Sequence, residues 1–340
     1  MYKKINTLAS ICIPVFNRED LVLDAIRSAQ NQTVSNIEIV VVDNASKDKT
    51  YKRVFKESIK DKRIKLYKNF ENIGALKNFY KAIELASSQY VVLLGSDDWL
   101  EPDFVEGRLT GFHLHPEVAF VSGPMKVYEQ TNATEIILKA KYLYQSRRLS
   151  YEEIINLFYK KFLVSYFCMF KKDDILNNFH FNYDDPYNWG VYEKGLGLDL
   201  INCLSIIENS LSQSIYYSDK GCYCFRNHAK RESEEIASQD MGLDKTIIDF
   251  TYNTFIFEDY IKRRSASAAK TFLNYKFLEL SYEILRSMIA GQKINEKTIY
   301  LLKQYININN IGPTTIVMTL LMTPFYLLQR LLYYVKRNFW

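Results

Sequence analysis

"YVVLLGSDDWLEPDF", residues 90–104, decides how this chain is read. Tyr90 to Leu94 form an apolar run with the length of a buried strand. The run stops at Gly95 and Ser96, and two adjacent acids follow, Asp97 and Asp98, with Trp99 directly behind them. Like charges side by side repel, so a buried strand that ends in both implies a positive partner there. The structural alternative is that the acids serve the helix opening at Pro102, since carboxylates suit a helix N-terminus and proline its first turn.

The same alternation runs outward from this stretch. "TLASICIPVF" (7–16), "IEIVVVD" (37–43), "RIKLYKN" (63–69) and "VAFVSG" (118–123) read as strands. Between them lie helical stretches: residues 18–30 with Asn17 as cap, the 50s, Gly74 to about Ser87, and the segment after Pro102. Apolar strands separated by helices imply βαβ units and a largely parallel sheet covered on both faces. Ligands of such sheets sit beyond the carboxyl ends of the strands. Here those ends read "PVFN", "DNAS" and "GSDD", and two of them carry acids.

Beyond residue 150 the pattern mixes a helix, the strand-like "SYFCMFKK" (165–172), a polar loop at 182–197, a helix from about 198, then "SIYYS" (214–218) and "CYCFRNH" (222–228). After residue 231 it reads as almost wholly helical.

With 340 residues, 48% hydrophobic and 24% charged, the chain has the make-up of a globular protein with a sizeable core. A net charge of +5 is too mild for a nucleic-acid binder. Five scattered cysteines argue against a disulfide framework, and Cys222 and Cys224 read as alternation along a strand rather than a zinc site. The N-terminus reads as a first strand, not a signal peptide, because its apolar run is short and has no small-residue cleavage site. A G-x-G-x-x-G or Walker loop is absent from the sequence.

Four segments agree in order and spacing: "SICIPVFNRED" (10–20), "EIVVVDNASKDKT" (38–50), "NFENIGALKNFYKAIELA" (69–86) and the opening stretch. Together they resemble the nucleotide-sugar half of a family 2 glycosyltransferase with the GT-A fold, closely over residues 8–105 and more loosely to about 230. The resemblance implies a Rossmann-like α/β fold with a mostly parallel central sheet flanked by helices and a helical C-terminal extension. Residues 1–230 would form the transferase domain, with a nucleotide-sugar half (1–105) and an acceptor half (106–230), and residues 231–340 the helical region.

The resemblance also implies roles. Pro14, Phe16 and Asn17 would shape the base pocket and Asp43 would accept from the uracil N–H, a bond within a carboxylate's repertoire. Asp43 is otherwise a turn-forming residue. Asn72, Gly74 and Lys77 match a stretch near the nucleotide, though Lys77 is equally a surface charge. Asp97 and Asp98 match the acidic metal motif, with one acid on the nucleotide and one on a divalent cation, Mn²⁺ or Mg²⁺: Asp97 and Asp98 in that order, or the two exchanged. Gly95 stands where many members carry an acid. "KGLGLDLINCL" (194–204) places the general base at Asp199, with Leu198 in place of the usual Glu, and Glu193, Asp184 and Asp185 as competitors. "CYCFRNHAKRES" (222–233) supplies Arg226 as a diphosphate contact and His228 as a second metal ligand.

The activity so implied is metal-dependent, inverting transfer of a sugar from a UDP-sugar to a hydroxyl of a growing surface glycan on a lipid carrier. A degenerate GT-A module that binds or assembles glycans is the alternative, supported by Gly95 and Leu198. Sugar-phosphate nucleotidyltransfer would want a glycine-rich loop that "PVFNRED" lacks. The tail 312–340 has no charge before Arg330 but contains threonines and Pro324. It reads as an amphipathic helix that seats the protein on the inner face of the cytoplasmic membrane, with a buried core or oligomer helix and a membrane span as the alternatives.

Overall fold

The computed structural model describes residues 7–131, 134–141, 145–150, 153–154, 168–178, 203, 206–207 and 209–227. These all fall within one compact unit. The 182–197 loop, Asp199, His228 and the whole region from 231 lie outside the described residues, so the domain division stands as an expectation.

β1 (Ala9–Val15), β2 (Ile37–Asp43) and β3 (Ile64–Lys68) alternate with α1 (Val22–Gln30) and α2 (Thr50–Lys60). α3 (Ala75–Leu85) then leads back across the sheet to β4 (Tyr90–Leu93). β2 and β4 flank β1, and β1 to β4 are all parallel. The chain continues through β5 (Trp99–Leu100), α4 (Phe104–Leu114), β6 (Phe120–Ser122), β7 (Met125–Thr131), β8 (Thr134–Lys141) and β9 (Arg147–Ser150). After these come β10 (Met169–Lys171), α5 (Lys172–Asn178), β11 (Ser214–Tyr217) and β12 (Tyr223–Asn227).

The main sheet has the order β3-β2-β1-β4-β10-β6-β11-β9. Only β10 and β9 run against the rest. Both faces are covered, which is why β1 and β2 are apolar at nearly every position. Ile11, Ile13, Ile39 and Val41 pack toward Val22, Ile26 and Val54 of α1 and α2. Cys12, Val40 and Val42 pack on the opposite side with Ala82 and Ile83 of α3. All five cysteines are buried and none forms a disulfide.

A second sheet, β5-β12-β7-β8, was not read from the sequence. Its hairpin β7–β8 is antiparallel, with a shift in register between Val127 and Tyr128. β12 lies parallel to β7 and antiparallel to β5, which brings "CYCFRN" against the strand that follows the two acids. Gly221 makes that approach possible: its φ is +62°, and a Cβ there would lie 2.3 Å from the Phe104 Cα. Arg108, fully buried on α4, holds the same corner by donating to the carbonyls of Lys220 (2.5 Å) and Gly221 (3.1 Å).

Candidate active site

The strand order reverses at β1: the chain first builds outward through β2 and β3, then crosses to β4 on the other side. The crevice beyond the carboxyl ends at such a point is where ligands of open α/β sheets bind. Pro14 helps to open it. Pairing of β1 with β4 ends at Cys12 and Leu93, with a last bond from the Leu94 amide to the Cys12 carbonyl at 2.9 Å. The next backbone position of β1 facing that side is Pro14, which has no N–H to continue the ladder. The strands therefore part, and the Gly95–Asp98 turn occupies the gap.

On the other flank of β1, Asp43 ends β2 opposite Val15. It is 0% exposed. Its Oδ2 accepts from the Ser46 amide at 3.2 Å, and its Oδ1 has no hydrogen-bond partner among the described residues. A buried carboxylate oxygen without a donor is costly, of the order of 1–3 kcal/mol. Around it the backbone is fixed by an amide network. Asn69 donates to Asn44 and to Asn78 (both 2.9 Å), Asn78 donates to the Val42 carbonyl (2.9 Å), and Asn44 donates to Asn72 (2.7 Å). Asn72 Oδ1 also accepts from the Gly74 amide at 2.9 Å, and Gly74 starts α3 with a φ of +84°. Asn72 and Gly74 thus shape the rim beside Asp43, whereas Lys77 is exposed on the first turn of α3.

Asn17 does not cap a helix. α1 begins only at Val22, behind Leu21, with no side-chain cap. Asn17 instead has a φ of 49°, its amide donates to Ser46 Oγ (2.9 Å), and its Oδ1 accepts from the Lys47 amide (2.9 Å). Those bonds tie the loop after β1 to the loop after β2, with Arg18 N–H on Thr50 Oγ1 at 2.8 Å as a further tie. Phe16 is half-buried in this loop and Pro14 is buried.

The two acids face different surroundings. Asp98 is 4% exposed; its Oδ2 accepts from the Tyr223 hydroxyl at 2.9 Å and its Oδ1 from the Arg226 amide at 2.8 Å. The Tyr223 oxygen also accepts from the Gly95 amide at 3.0 Å. Burial, then the neighbouring Asp98 carboxylate, push the Tyr223 hydroxyl well above its ordinary pKa, so it stays a donor. The Asp97 side chain is 13% exposed, with Arg18 Nε at 3.8 Å from its Oδ2. The helix-capping alternative does not describe either acid: α4 starts at Phe104 behind Asp103, without a side-chain cap.

Arg226, expected on a diphosphate, is turned toward α1. Its Nη2 donates to Asp24 Oδ2 at 2.9 Å, its Nε donates to the Asp97 carbonyl at 3.1 Å, and its guanidinium lies 4.8 Å from the centre of the Trp99 ring. It forms one wall of an open pocket of about 390 Å³ with Asp24, Arg27, Ser28, Trp99 and Tyr128. Arg18 faces Asp97, with its Nε 3.8 Å from Asp97 Oδ2, and the sequence reading assigned it no role. Its signal was there to use: a basic residue just past the end of the first strand, next to a strand end that carries two acids.

Among the described residues no group of three His, Cys, Asp or Glu side chains converges as a metal cage. Two carboxylates alone fit Mg²⁺ or Mn²⁺ when substrate phosphates complete the shell. Asp98 accepts from the Tyr223 hydroxyl and the Arg226 amide, which fix its carboxylate in place, and a carboxylate oxygen can hold a cation as well as a hydrogen bond. Asp97 and Asp98 are therefore a fitting half-site. Asp199, Glu193, Asp185, Asp184 and His228 lie outside the described residues.

A parallel sheet with a strand-end acid on either side of β1, flanked by a small second sheet, is the GT-A architecture. S. aureus TarS 1-349, solved in complex with UDP-GlcNAc, has the same fold: TM-score 0.62 at 17% identity over 88% of this chain and 81% of that one. Residues 10–178 match the model of glycosyl transferase family 2, and over that half the chain belongs to this family. The UDP-Glc:alpha-D-GlcNAc-diphosphoundecaprenol beta-1,3-glucosyltransferase WfgD of Escherichia coli is 29% identical over 217 residues, covering 63% of this chain and 81% of WfgD. The E. coli enzyme WfaP, of the same described activity, is 38% identical over 92 residues, covering 27% of this chain and 36% of WfaP. Against three other curated relatives the match spans 29%, 41% and 32% of their lengths.

Proposed function

We propose that the chain is an inverting glycosyltransferase of bacterial surface-polysaccharide synthesis that takes a UDP-sugar as donor and a lipid-linked glycan hydroxyl as acceptor. The observation that carries the donor assignment is the unpartnered Oδ1 of the fully buried Asp43. A uracil N3–H would satisfy that oxygen, and the Asn17, Asn72 and Gly74 loops stand around it. The relatives WfgD and WfaP, named for transfer from UDP-Glc to a diphosphoundecaprenol-linked sugar, support both donor and acceptor classes.

In this reading Asp97 and Asp98 hold Mn²⁺ or Mg²⁺ together with the donor diphosphate. The cation supplies Lewis-acid stabilisation of the charge that grows on the leaving diphosphate. Arg18, beside Asp97, adds fixed positive charge to the same side of the crevice. Tyr223 and Arg226 hold the acids in place. Asp199 takes the proton from the acceptor hydroxyl, a contribution of about 10²–10⁴-fold in rate, and the hydroxyl attacks the anomeric carbon opposite the diphosphate. The tail 312–340, largely apolar up to Arg330 and basic and aromatic beyond it, seats the enzyme on the inner leaflet.

Calorimetric titration of UDP and CDP with Mn²⁺ present tests the reading. Wild-type protein binds UDP more tightly than CDP. Asp43→Asn turns an acceptor into a donor, so UDP weakens by about tenfold or more and its lead over CDP shrinks. If UDP binding is indifferent to this substitution, Asp43 does not read the base and the donor assignment falls.

A further inference from the structure

Between Lys47 and Lys68 the chain carries ten basic and three acidic side chains, whereas its net charge as a whole is +5. Everything outside this segment is therefore net negative. α2 displays the surplus on one face: Lys52, Phe55, Lys56, Ile59 and Lys60 are all exposed, at the i, i+3, i+4, i+7, i+8 spacing of a single helical stripe. Thr50 and Val54 are the residues this helix buries. Phe55 is 48% and Ile59 57% exposed.

The neighbouring edge strand extends the surface. β3 presents Lys65, Tyr67 and Lys68 to solvent, and Phe70 just beyond it is fully exposed. Arg53, Lys60 and Arg63 have acidic neighbours. Lys52, Lys56, Lys62 and Lys65 have none among the described residues.

Lysines on β3 alone would be explained as protection of an open sheet edge. That account does not reach α2, which is no strand. There Lys52, Lys56 and Lys60 stand at i, i+4 spacing, a like-charge arrangement that destabilises a helix. Nor does it explain why Phe55 and Ile59 are interleaved with them on the outward face. A lysine stripe that shares its face with exposed apolar side chains suits the headgroup boundary of an anionic bilayer: the ammonium groups reach phosphates while the apolar groups enter the acyl edge. Single-stranded nucleic acid is met by stacking aromatics together with arginine. Phe55, Tyr67 and Phe70 are exposed here, but Arg53 and Arg63 are paired with acids. The cations here without an acidic neighbour among the described residues are lysines, and aliphatic Ile59 shares their stripe.

We infer that the outer face of α2 and the adjoining edge of β3 form a docking surface for an anionic lipid bilayer. The surface adjoins the donor crevice. Thr50, the first residue of α2, holds the Arg18 amide, and Lys68 at the end of β3 pairs in register with Asp43. Docking through it sets the rim of the crevice at the leaflet. The inference stands apart from the identity of the donor and from the tail at 312–340.

The test is co-sedimentation of the full chain with vesicles of phosphatidylcholine containing phosphatidylglycerol, against pure phosphatidylcholine, at low and high salt. The wild type sediments with the anionic vesicles and is released by salt. Each surface lysine contributes about fivefold in partition, so Lys52→Glu, Lys56→Glu and Lys65→Glu together lower it by about 100-fold or more. Phe55→Ser with Ile59→Ser, both at exposed positions, forms a second arm and lowers partition by about tenfold. UDP binding by both variants stays at the wild-type level, which separates this docking from the transferase reading. Wild-type partition in both variants would overturn the inference by placing the docking elsewhere in the chain. So would a wild type that ignores anionic vesicles and instead retards single-stranded RNA.

Discussion

The Tyr223 hydroxyl donates to Asp98 Oδ2 at 2.9 Å across a separation of 125 positions in the chain. The same oxygen accepts from the Gly95 amide, so one phenol holds both ends of the turn that carries the acid pair.

Tyr223→Phe keeps the ring in the core and removes that bridge. It leaves a buried carboxylate oxygen and a backbone amide short of a partner, a cost of about 1–3 kcal/mol. Urea denaturation should show a loss of that size, and sugar release from a UDP-sugar should fall with it because Asp98 is no longer fixed. Unchanged stability and turnover would show that the Arg226 amide alone suffices to hold Asp98.

The family resemblance leads one to expect an acid at Gly95, and the packing around this position shows what a side chain there would meet. A Cβ at this position would lie 2.7 Å from Asp98 Oδ2 and 3.1 Å from Asp97 Oδ1. Asp98 is pinned by Tyr223 and by the Arg226 amide and cannot withdraw freely. Gly95→Ala should therefore displace the carboxylates, lower stability by about 1–3 kcal/mol as overpacking does, and reduce turnover by at least about tenfold. Wild-type turnover of the alanine variant would mean that the turn adapts and the acids need no fixed position.

Asp61 ends α2, and hydrogen bonds from the Arg63 side chain hold its pKa at about 2. This is below the unfolded value of about 3.9. The folded state therefore gains stability from the ionised group above about pH 4, and that gain disappears as pH falls toward 2. Asp61→Asn should lower the melting temperature at pH 7 by about 2–4 °C, the shift expected from about 1 kcal/mol in a chain of this size. Melting curves of the two proteins should converge between pH 4 and 2. A gap that persists at pH 2 would assign the effect to shape and not to charge.

Much of the fold was legible because its signals are local. "IEIVVVD" has no polar face to offer solvent, so β2 had to be a strand buried on both sides. The turn chemistry after β1, β2 and β4 marked the edge where ligands sit, and Asp43, Asp97 and Asp98 were found there. The β7–β8 hairpin was missed: "MKVYEQT" and "TEIILKAK" gain strand character chiefly from pairing with each other and with β12. Asn17 was misread as a helix cap because its residue type favours capping. Its two bonds to the 46–47 loop, 29 and 30 residues away, take the place of a cap.

The sequence by itself determined the alternation of strands and helices, the largely parallel sheet and the acids at the strand ends, since hydrophobic pattern and turn residues act over a few positions; the order of the strands was not among these. Only the tertiary structure decided what each acid does. Asp43 has a buried oxygen with no partner among the described residues, Asp98 is held by β12, and Asp97 faces Arg18. A buried carboxylate must find its donors wherever the fold brings them, and the donors for Asp98 stand more than a hundred residues further along the chain.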